Sequence, residues 1–238
     1  MTSDSQPVVH SLDPGASGRG QILRSRSPRS AVRDSRSSVP GIPPSTLWAA
    51  GTEPLDPADR WPAPILSRTI AEFSEPGARV LLVPWPAPAS RGGLTVVDPD
   101  TETARAAVES LGRDPRPGDG ESVDLVVVSL LADHLDPVTA AEHVVSLAAD
   151  RMAVGAALVV LGRCRHSRDG VLLDPAGPVV AAAQSADLLY LQHLIAAPVA
   201  GASIPTPPTD TDSGRGRHAV VHTDVFVFLL PHTGQAPV

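Results

Sequence analysis

The stretch VDLVVV at residues 123–128 is the clearest strand signal in the chain. It follows a loop rich in Pro, Gly and Asp at residues 112–120 and is a nearly continuous apolar run. Such a run, bounded by turn signals, is typical of a strand that is buried on both faces. The apolar periodicity of Val138 to Met152 then predicts a helix, and AALVVL at residues 156–161 predicts a second buried strand.

The same alternation of strands and helices continues on both sides of this unit. The other predicted elements are helices at 63–73, 102–111 and 179 to about 195, and strands at 79–83, 94–97 and 219–230. Apolar strands that alternate with helices are typical of βαβ units around a mostly parallel sheet. The sequence therefore predicts an α/β fold of the Rossmann-like, doubly wound type.

Composition divides the chain into three parts. The 238 residues include 26 Pro and 19 Gly, below the roughly 25–30% of Pro plus Gly that marks a wholly disordered polypeptide. Residues 1–45 have almost no periodic apolar pattern, so we expect a disordered tail rich in Arg, Ser and Pro. Residues 46–231 are expected to form the folded domain, and residues 232–238 a disordered C-terminus.

Charge and cysteine content limit the function classes. The chain has no Lys, 19 Arg and 26 acidic residues, and a net charge of −7, which argues against a protein that coats nucleic acid with basic charge. Six of the arginines lie between Arg19 and Arg36, and this segment either contacts DNA or another anionic surface or is simply a solvated leader. The single cysteine, Cys164, excludes an intramolecular disulfide, so a cytoplasmic location is expected. The longest apolar stretches are too short to span a bilayer, and no membrane association is expected.

Candidate site residues follow the predicted strands, because open parallel sheets bind ligands beyond the carboxyl ends of their strands. Pro84 begins a turn with prolines at 84, 86 and 88, which is a poor phosphate- or nucleoside-binding loop because proline lacks the N–H donor. Asp98 follows the second predicted strand. Its carboxylate either accepts both hydroxyls of a ribose or caps the next helix.

Each of the other polar groups near strand ends has both a structural and a catalytic or metal-binding interpretation. Asp133 and His134 form either an acid/base pair or a turn, with the turn favoured. Cys164 lies between Arg163 and Arg165, which could lower its pKa, but without an evident base an ordinary loop thiol is favoured. His218 and His222 are four residues apart in a predicted strand, too far apart to chelate one ion, so no metal site is predicted.

Several segments, taken in order, resemble the SAM-dependent DNA methyltransferases that methylate the exocyclic amino group of adenine (N6) or cytosine (N4), in the version widespread among high-GC actinobacteria. The resemblance implies a Rossmann-like methyltransferase fold with an antiparallel C-terminal strand, S-adenosyl-L-methionine (SAM) as cofactor and DNA as partner. The segments that carry it are TLWAAG (46–51), the helix at 64–73, EPGARVLLVP (75–84), VDLVVVS (123–129), GVLLDPAGPVVAAAQSADL (170–188) and HTDVFVF (222–228).

The chain departs from this family at the chemical motifs. The family's Asp-Pro-x-x-Gly-x-Gly-Thr motif, which wraps the methionine part of SAM, corresponds here to Val83, Pro84, Ala87, Ala89 and Ser90, so only Pro84 is kept. Asp98 matches the acid that holds the SAM ribose. The catalytic Ser/Asn/Asp-Pro-Pro-Tyr motif corresponds to Ser129, Leu130, Leu131 and Ala132, without the prolines or the stacking ring.

These departures imply a degenerate, catalytically inactive relative with a binding or regulatory role, in which SAM binding is doubtful. Two alternatives stay open. One is an active SAM-dependent methyltransferase with an atypical site, in which Asp98 holds the ribose and Ser129, Asp133 or His134 does the chemistry. The other is a DNA- or protein-interaction module that acts through the Arg-rich tail.

Overall fold

The centre of the molecule is a six-stranded sheet in the order β1-β9-β10-β6-β5-β2. The computed structural model describes residues 46–85, 90–91, 94–95, 98–115, 117–118, 120–132, 136–167, 169–205 and 221–232. The strands of the sheet are β1 (Leu47–Ala49), β2 (Val80–Pro84), β5 (Val123–Ser129), β6 (Met152–Gly162), β9 (Leu189–Ala197) and β10 (Thr223–Leu229). Two small hairpins pair β3 (Ser90–Arg91) with β4 (Leu94–Thr95) and β7 (Arg165–His166) with β8 (Leu172–Leu173).

Five strands of the sheet run in one direction, and β10 runs against them. The pairs β2 with β5, β5 with β6, and β1 with β9 are parallel, whereas β10 is antiparallel to both of its neighbours, β6 and β9. The predicted mostly parallel sheet with an antiparallel C-terminal strand is therefore confirmed.

Helices cover both faces of this sheet. The helices are α1 (Ala63–Phe73), α2 (Pro99–Ser110), α3 (Pro137–Ala149) and α4 (Ala176–Ser185). Alternate strand residues point to opposite faces, so Leu125 and Val127 pack with α1 and α2, while Val126 and Val128 pack with α3 and α4. The doubly wound α/β prediction is confirmed, and the apolar character of residues 123–128 follows from burial on both sides.

The predicted helix from Val179 to Ile195 is wrong in its second half. Helix α4 ends at Ser185, the chain turns through Asp187 at a φ of 58°, and β9 begins at Leu189. The Ala-rich first half has the higher helix propensity, and the second half obtains its backbone hydrogen bonds from β10 and β1. Sequence periodicity does not reveal such tertiary pairing.

Two other strand predictions need correction. The sequence predicts a strand at 94–97 in the main sheet, but Leu94 and Thr95 pair with β3 in a separate hairpin, and Val96 and Val97 lie outside the described residues. The final strand begins at Thr223, so His222 precedes it instead of lying within it. The predicted tails, 1–45 and 233–238, also lie outside the described residues. No helix in the described part of the chain is long and apolar enough to cross a membrane.

Gly162, the last residue of β6, has no room for a side chain. A Cβ there would lie 2.9 Å from Cγ of Pro175 and 3.4 Å from Cε2 of Phe226. We expect Gly162→Ala to lower the free energy of unfolding by about 1–3 kcal/mol, because overpacking displaces neighbouring groups. Urea unfolding measures this loss. The matched control is Gly177→Ala, where a Cβ would meet nothing within 4 Å; equal stability of the two variants would contradict the close packing at Gly162.

Candidate functional site

The carboxyl ends of β2, β5 and β6 lie side by side at Pro84, Ser129 and Gly162. This edge is where an open parallel sheet binds its ligand. Residues 55–62, which connect β1 to α1, make hydrogen bonds to groups at the ends of all three strands. We call residues 55–62 the crossing segment.

Arg60 is the central residue of the crossing segment. Its carbonyl oxygen accepts a hydrogen bond from Oγ of Ser129 at 2.5 Å. Its guanidinium donates from Nη1 to Oδ2 of Asp98 at 3.2 Å and from Nη2 to the carbonyl oxygen of Trp85 at 3.2 Å. The side chains of Arg60 and Asp98 are 22% and 16% exposed, so this ion pair is largely shielded from water. One residue therefore connects the ends of β2 and β5 with the start of α2.

Asp98 is the N-cap of α2, as one of its two predicted roles requires. Its Oδ1 accepts from the backbone N–H of Asp100 at 3.2 Å, and its Oδ2 accepts from Oγ1 of Thr101 at 2.8 Å and from Arg60. Pro99 at the first helical position is also typical of a helix start. Both carboxylate oxygens thus have donors within the chain. The ribose-binding role of Asp98 stays a prediction.

The four residues at the position of the catalytic motif lie mainly in the interior. Ser129 and Leu131 are fully buried, and Leu130 is 3% exposed. Leu130 and Leu131 pack into the hydrophobic clusters on opposite faces of the sheet, and the N–H of Leu130 donates to the carbonyl oxygen of Leu161 at 2.9 Å. Pro84, the last residue of β2, is also buried. Asp133 and His134 lie outside the described residues.

Arg163 donates hydrogen bonds to the crossing segment at Pro57 and Asp59. It follows β6, is only 5% exposed, and donates from Nη1 to the carbonyl oxygen of Pro57 at 3.0 Å and from Nη2 to that of Asp59 at 3.3 Å. The indole N–H of Trp61 adds a hydrogen bond to Oγ1 of Thr101 at 3.1 Å. Sequence reasoning treated Arg163 only as a neighbour of Cys164. The only signal in the sequence is an arginine that closely follows an apolar strand.

Cys164 has the environment of an unreactive thiol. Burial raises its pKa to about 11, and the nearby carboxylates of Asp174 and Asp224 act in the same direction. The pKa of the thiol is raised although Arg163 and Arg165 flank it in sequence; Arg163 donates to the crossing segment, and Arg165 donates to the carbonyl oxygen of Ala132. The thiol is therefore protonated at neutral pH, in agreement with the favoured prediction of an ordinary loop thiol.

A second polar cluster, which sequence reasoning missed, joins β9 and β10. The side chain of Asp224 is 7% exposed, and its Oδ1 lies 2.9 Å from Nε2 of His193 and 3.5 Å from Nε2 of His222. Burial raises the pKa of Asp224, but the hydrogen bonds from His222 and His193 outweigh it, so the net pKa is below its ordinary value. The hydrogen bond to Asp224 raises the pKa of His222 despite opposing desolvation.

Of the two histidines considered in the sequence, His218 and His222, only His222 belongs to this cluster. His222 faces Asp224, and His218 lies outside the described residues. His193 and Asp224 are 31 residues apart in sequence, so only the pairing of β9 with β10 brings them together. Among the described residues, no three His, Cys, Asp or Glu side chains form a group that could hold a metal ion.

Comparison with known proteins finds similarity between this chain and solved structures. No protein-family model matches the chain. No curated protein matches it at a significant level.

Three solved structures illustrate that similarity. A protein assigned as a DNA modification methylase from Thermus thermophilus is 9% identical, with 81% of this chain and 56% of that chain covered and a TM-score of 0.32. A TehB-like SAM-dependent methyltransferase from Corynebacterium glutamicum is 13% identical, with coverages of 69% and 86% and a TM-score of 0.36. The N-methyltransferase NodS from Bradyrhizobium japonicum is 13% identical, with coverages of 71% and 94% and a TM-score of 0.40. The chain thus spans little more than half of the first of these proteins, and its α/β architecture rests on the strand order and directions given above.

Proposed function

We propose that this chain is a methyltransferase-like domain that has lost methyl transfer and acts by binding. The observation that carries the proposal is the position of Arg60. Its main chain and guanidinium bond to Ser129, Trp85 and Asp98 across the carboxyl ends of β2 and β5. That edge is where a parallel sheet of this kind would hold a nucleoside, so the chain's own segment takes the place of a ligand.

The carboxylate that would hold the ribose of a cofactor already accepts hydrogen bonds from within the chain. A ribose would compete for Asp98 with the N–H of Asp100, the hydroxyl of Thr101 and the guanidinium of Arg60. Freeing Asp98 from Arg60 would break a charged hydrogen bond, worth about 1.5–3 kcal/mol, before any contact with SAM forms. Among the residues that the structure describes at this edge, Asp98 therefore does not fit the ribose of SAM in this arrangement.

The position of the catalytic motif supports the same proposal. A target amino group needs a polar acceptor that is free at the surface of the site, and a flipped base needs an aromatic ring on which to stack. Here the hydroxyl of Ser129 donates a hydrogen bond to the carbonyl oxygen of Arg60, and Ser129 is fully buried. Ala132 stands where the resemblance expects the ring. DNA contact through the segment Arg19–Arg36 stays a separate prediction.

We expect calorimetry to detect no binding of SAM to the full-length protein, with any dissociation constant above about 1 mM. Thermal unfolding provides a second readout, because 1 mM of a ligand with a dissociation constant of 10 µM would stabilise the fold by about 2.7 kcal/mol. We therefore also expect 1 mM SAM to leave the melting temperature unchanged.

The control is Asp98→Ala, checked for folding by circular dichroism. Under the proposal, neither the wild type nor Asp98→Ala shows a measurable heat of SAM binding. Micromolar binding of SAM to the wild type that disappears in Asp98→Ala would overturn the proposal and establish an atypical but functional cofactor site.

A further inference from the structure

A groove with a volume of about 580 Å³ runs between α3 and α4. Ser146 on α3 and Ala181 and Ser185 on α4 line it and are exposed, so the groove is open to solvent. Its remaining lining is largely apolar and includes Val145, Ala149, Ala182 and Ala186. Small side chains at a helix surface let another helix approach closely. We call this feature the α3–α4 groove.

The two helices run in the same direction. Helix α3 connects β5 to β6, and α4 lies between β6 and β9; these three strands are parallel to one another. The C-terminal ends of α3 and α4 therefore lie at the same end of the groove, where Asp150 and Asp187 line it. Unpaired carbonyl groups give each helix C-terminus a partial negative charge, and such ends attract cations.

Three carboxylates add to this negative charge. Glu142, Asp150 and Asp187 are exposed, and none of the residues that line the groove is Lys, Arg or His. Within the part of the chain that the structure describes, these three carboxylates have neither a hydrogen-bond donor nor an ion-pair partner. Arg151, next to Asp150, donates to two backbone carbonyl oxygens instead. Because an acid at a helix C-terminus is unfavourable, a cation that binds beside Asp150 and Asp187 removes an electrostatic cost.

We propose that the α3–α4 groove binds a basic amphipathic helix of a partner protein. Small and aliphatic side chains of this helix enter the apolar part of the groove, as in other helix-in-groove complexes. One Lys or Arg lies between Asp150 and Asp187, and a second lies beside Glu142, about two turns along the partner helix. Nucleic acids and anionic membranes are disfavoured as partners, because the same carboxylates repel their phosphate groups.

This proposal is independent of the carboxyl edge of the sheet. The groove does not include Arg60, Asp98 or Ser129, so its test does not depend on whether SAM binds. Helix α3 has 13 residues, which gives the partner helix a contact length of about 20 Å.

Fluorescence anisotropy with the full-length protein tests the proposal. The probe is a labelled synthetic helix of about 15 residues, with Ala and Leu on one face and Lys on the other. In the control peptide, Glu replaces each Lys. We expect the basic peptide to bind with a dissociation constant of about 100 µM or lower at about 50 mM salt, and the acidic peptide not to bind. Raising the salt to about 0.3 M should weaken the binding, because salt screens exposed carboxylates.

A charge-reversal variant tests the acidic end of the groove. Combining Asp150→Lys with Asp187→Lys should raise the dissociation constant of the basic peptide at least about tenfold, because two attractive charges become repulsive. The matched control combines Glu72→Lys with Glu75→Lys, at two exposed residues in and just after α1, and makes the same change in net charge. Helix α1 packs on the other face of the sheet, so this control should bind the peptide like the wild type.

A blocking variant tests the apolar part of the groove. Ala181→Trp places a large ring in the groove at an exposed position of α4 and should weaken binding of the basic peptide at least about tenfold. The control is Ala71→Trp, at an exposed position of α1, which should leave the dissociation constant unchanged. Circular dichroism confirms that all variants are folded.

Four results would each overturn the proposal. They are no binding of the basic peptide at 100 µM protein, an equal loss of affinity in the Glu72 and Glu75 variant, unchanged affinity in Ala181→Trp, and a wild-type dimer in sedimentation equilibrium that the Asp150 and Asp187 variant abolishes. The last result would show that a second copy of the chain occupies the groove.

Discussion

Replacing Arg163 by alanine is expected to lower the free energy of unfolding by about 1.5–3 kcal/mol, because the change removes two partly buried hydrogen bonds from a charged donor to backbone carbonyl oxygens. Arg163 is 5% exposed and donates to the carbonyl oxygens of Pro57 and Asp59. The variant also removes a large buried side chain that packs beneath the crossing segment. Urea unfolding at neutral pH measures the loss.

Arg151 is a matched control for this variant. It also donates to two backbone carbonyl oxygens, those of Glu121 at 3.1 Å and Gly118 at 3.0 Å, but these contacts lie at the surface. Water replaces them when the side chain is removed, so Arg151→Ala should cost under about 1 kcal/mol. If both variants lower the free energy of unfolding by the same amount, burial of the Arg163 side chain does not strengthen its hydrogen bonds.

Replacing Asp224 by asparagine is expected to cost about 2 kcal/mol near pH 5.5 and clearly less near pH 8.5. His222 has a pKa above its ordinary value of 6.5, so its stabilising charge is present below pH 6.5 and is lost as the pH rises through the higher folded value. Asp224 has a pKa below its ordinary 3.8, so its contribution is present above pH 3.8 and is lost as the pH falls through the lower folded value. The ion pair between His222 and Asp224 therefore stabilises the fold most between about pH 4 and pH 6.5.

Asp124→Asn is the control for this pH dependence. Asp124 pairs with Arg79 at 3.0 Å, and the hydrogen bond to Arg79 holds the pKa of Asp124 below its ordinary value. Arginine stays charged throughout this range, so the loss in Asp124→Asn should be the same at pH 5.5 and pH 8.5. A loss in Asp224→Asn that does not change between these two pH values would show that His222 does not contribute through its charge.

The crossing segment illustrates how far sequence reasoning reaches into the site. Position along the chain singles out Asp98 and Ser129, because ligands bind where parallel strands end. It gave no indication of Arg60, which lies 38 residues before Asp98 and 69 residues before Ser129. The hydrogen-bond partners of Asp98 and Ser129 depend on which loop crosses the sheet edge. No local sequence pattern indicates the path of that loop.

The sequence by itself determined the α/β class, the strands at residues 123–129 and within 152–162, and the helix that connects them. Burial on both faces requires continuous apolar runs, and such runs are visible in the residue order. Only the tertiary structure decided that Leu189–Ala197 is a strand, that Arg60 and Arg163 hold a segment across the carboxyl edge, and that Asp224 lies between two histidines. These features depend on contacts between residues far apart in the chain, whose partners are chosen by the packing of the whole sheet.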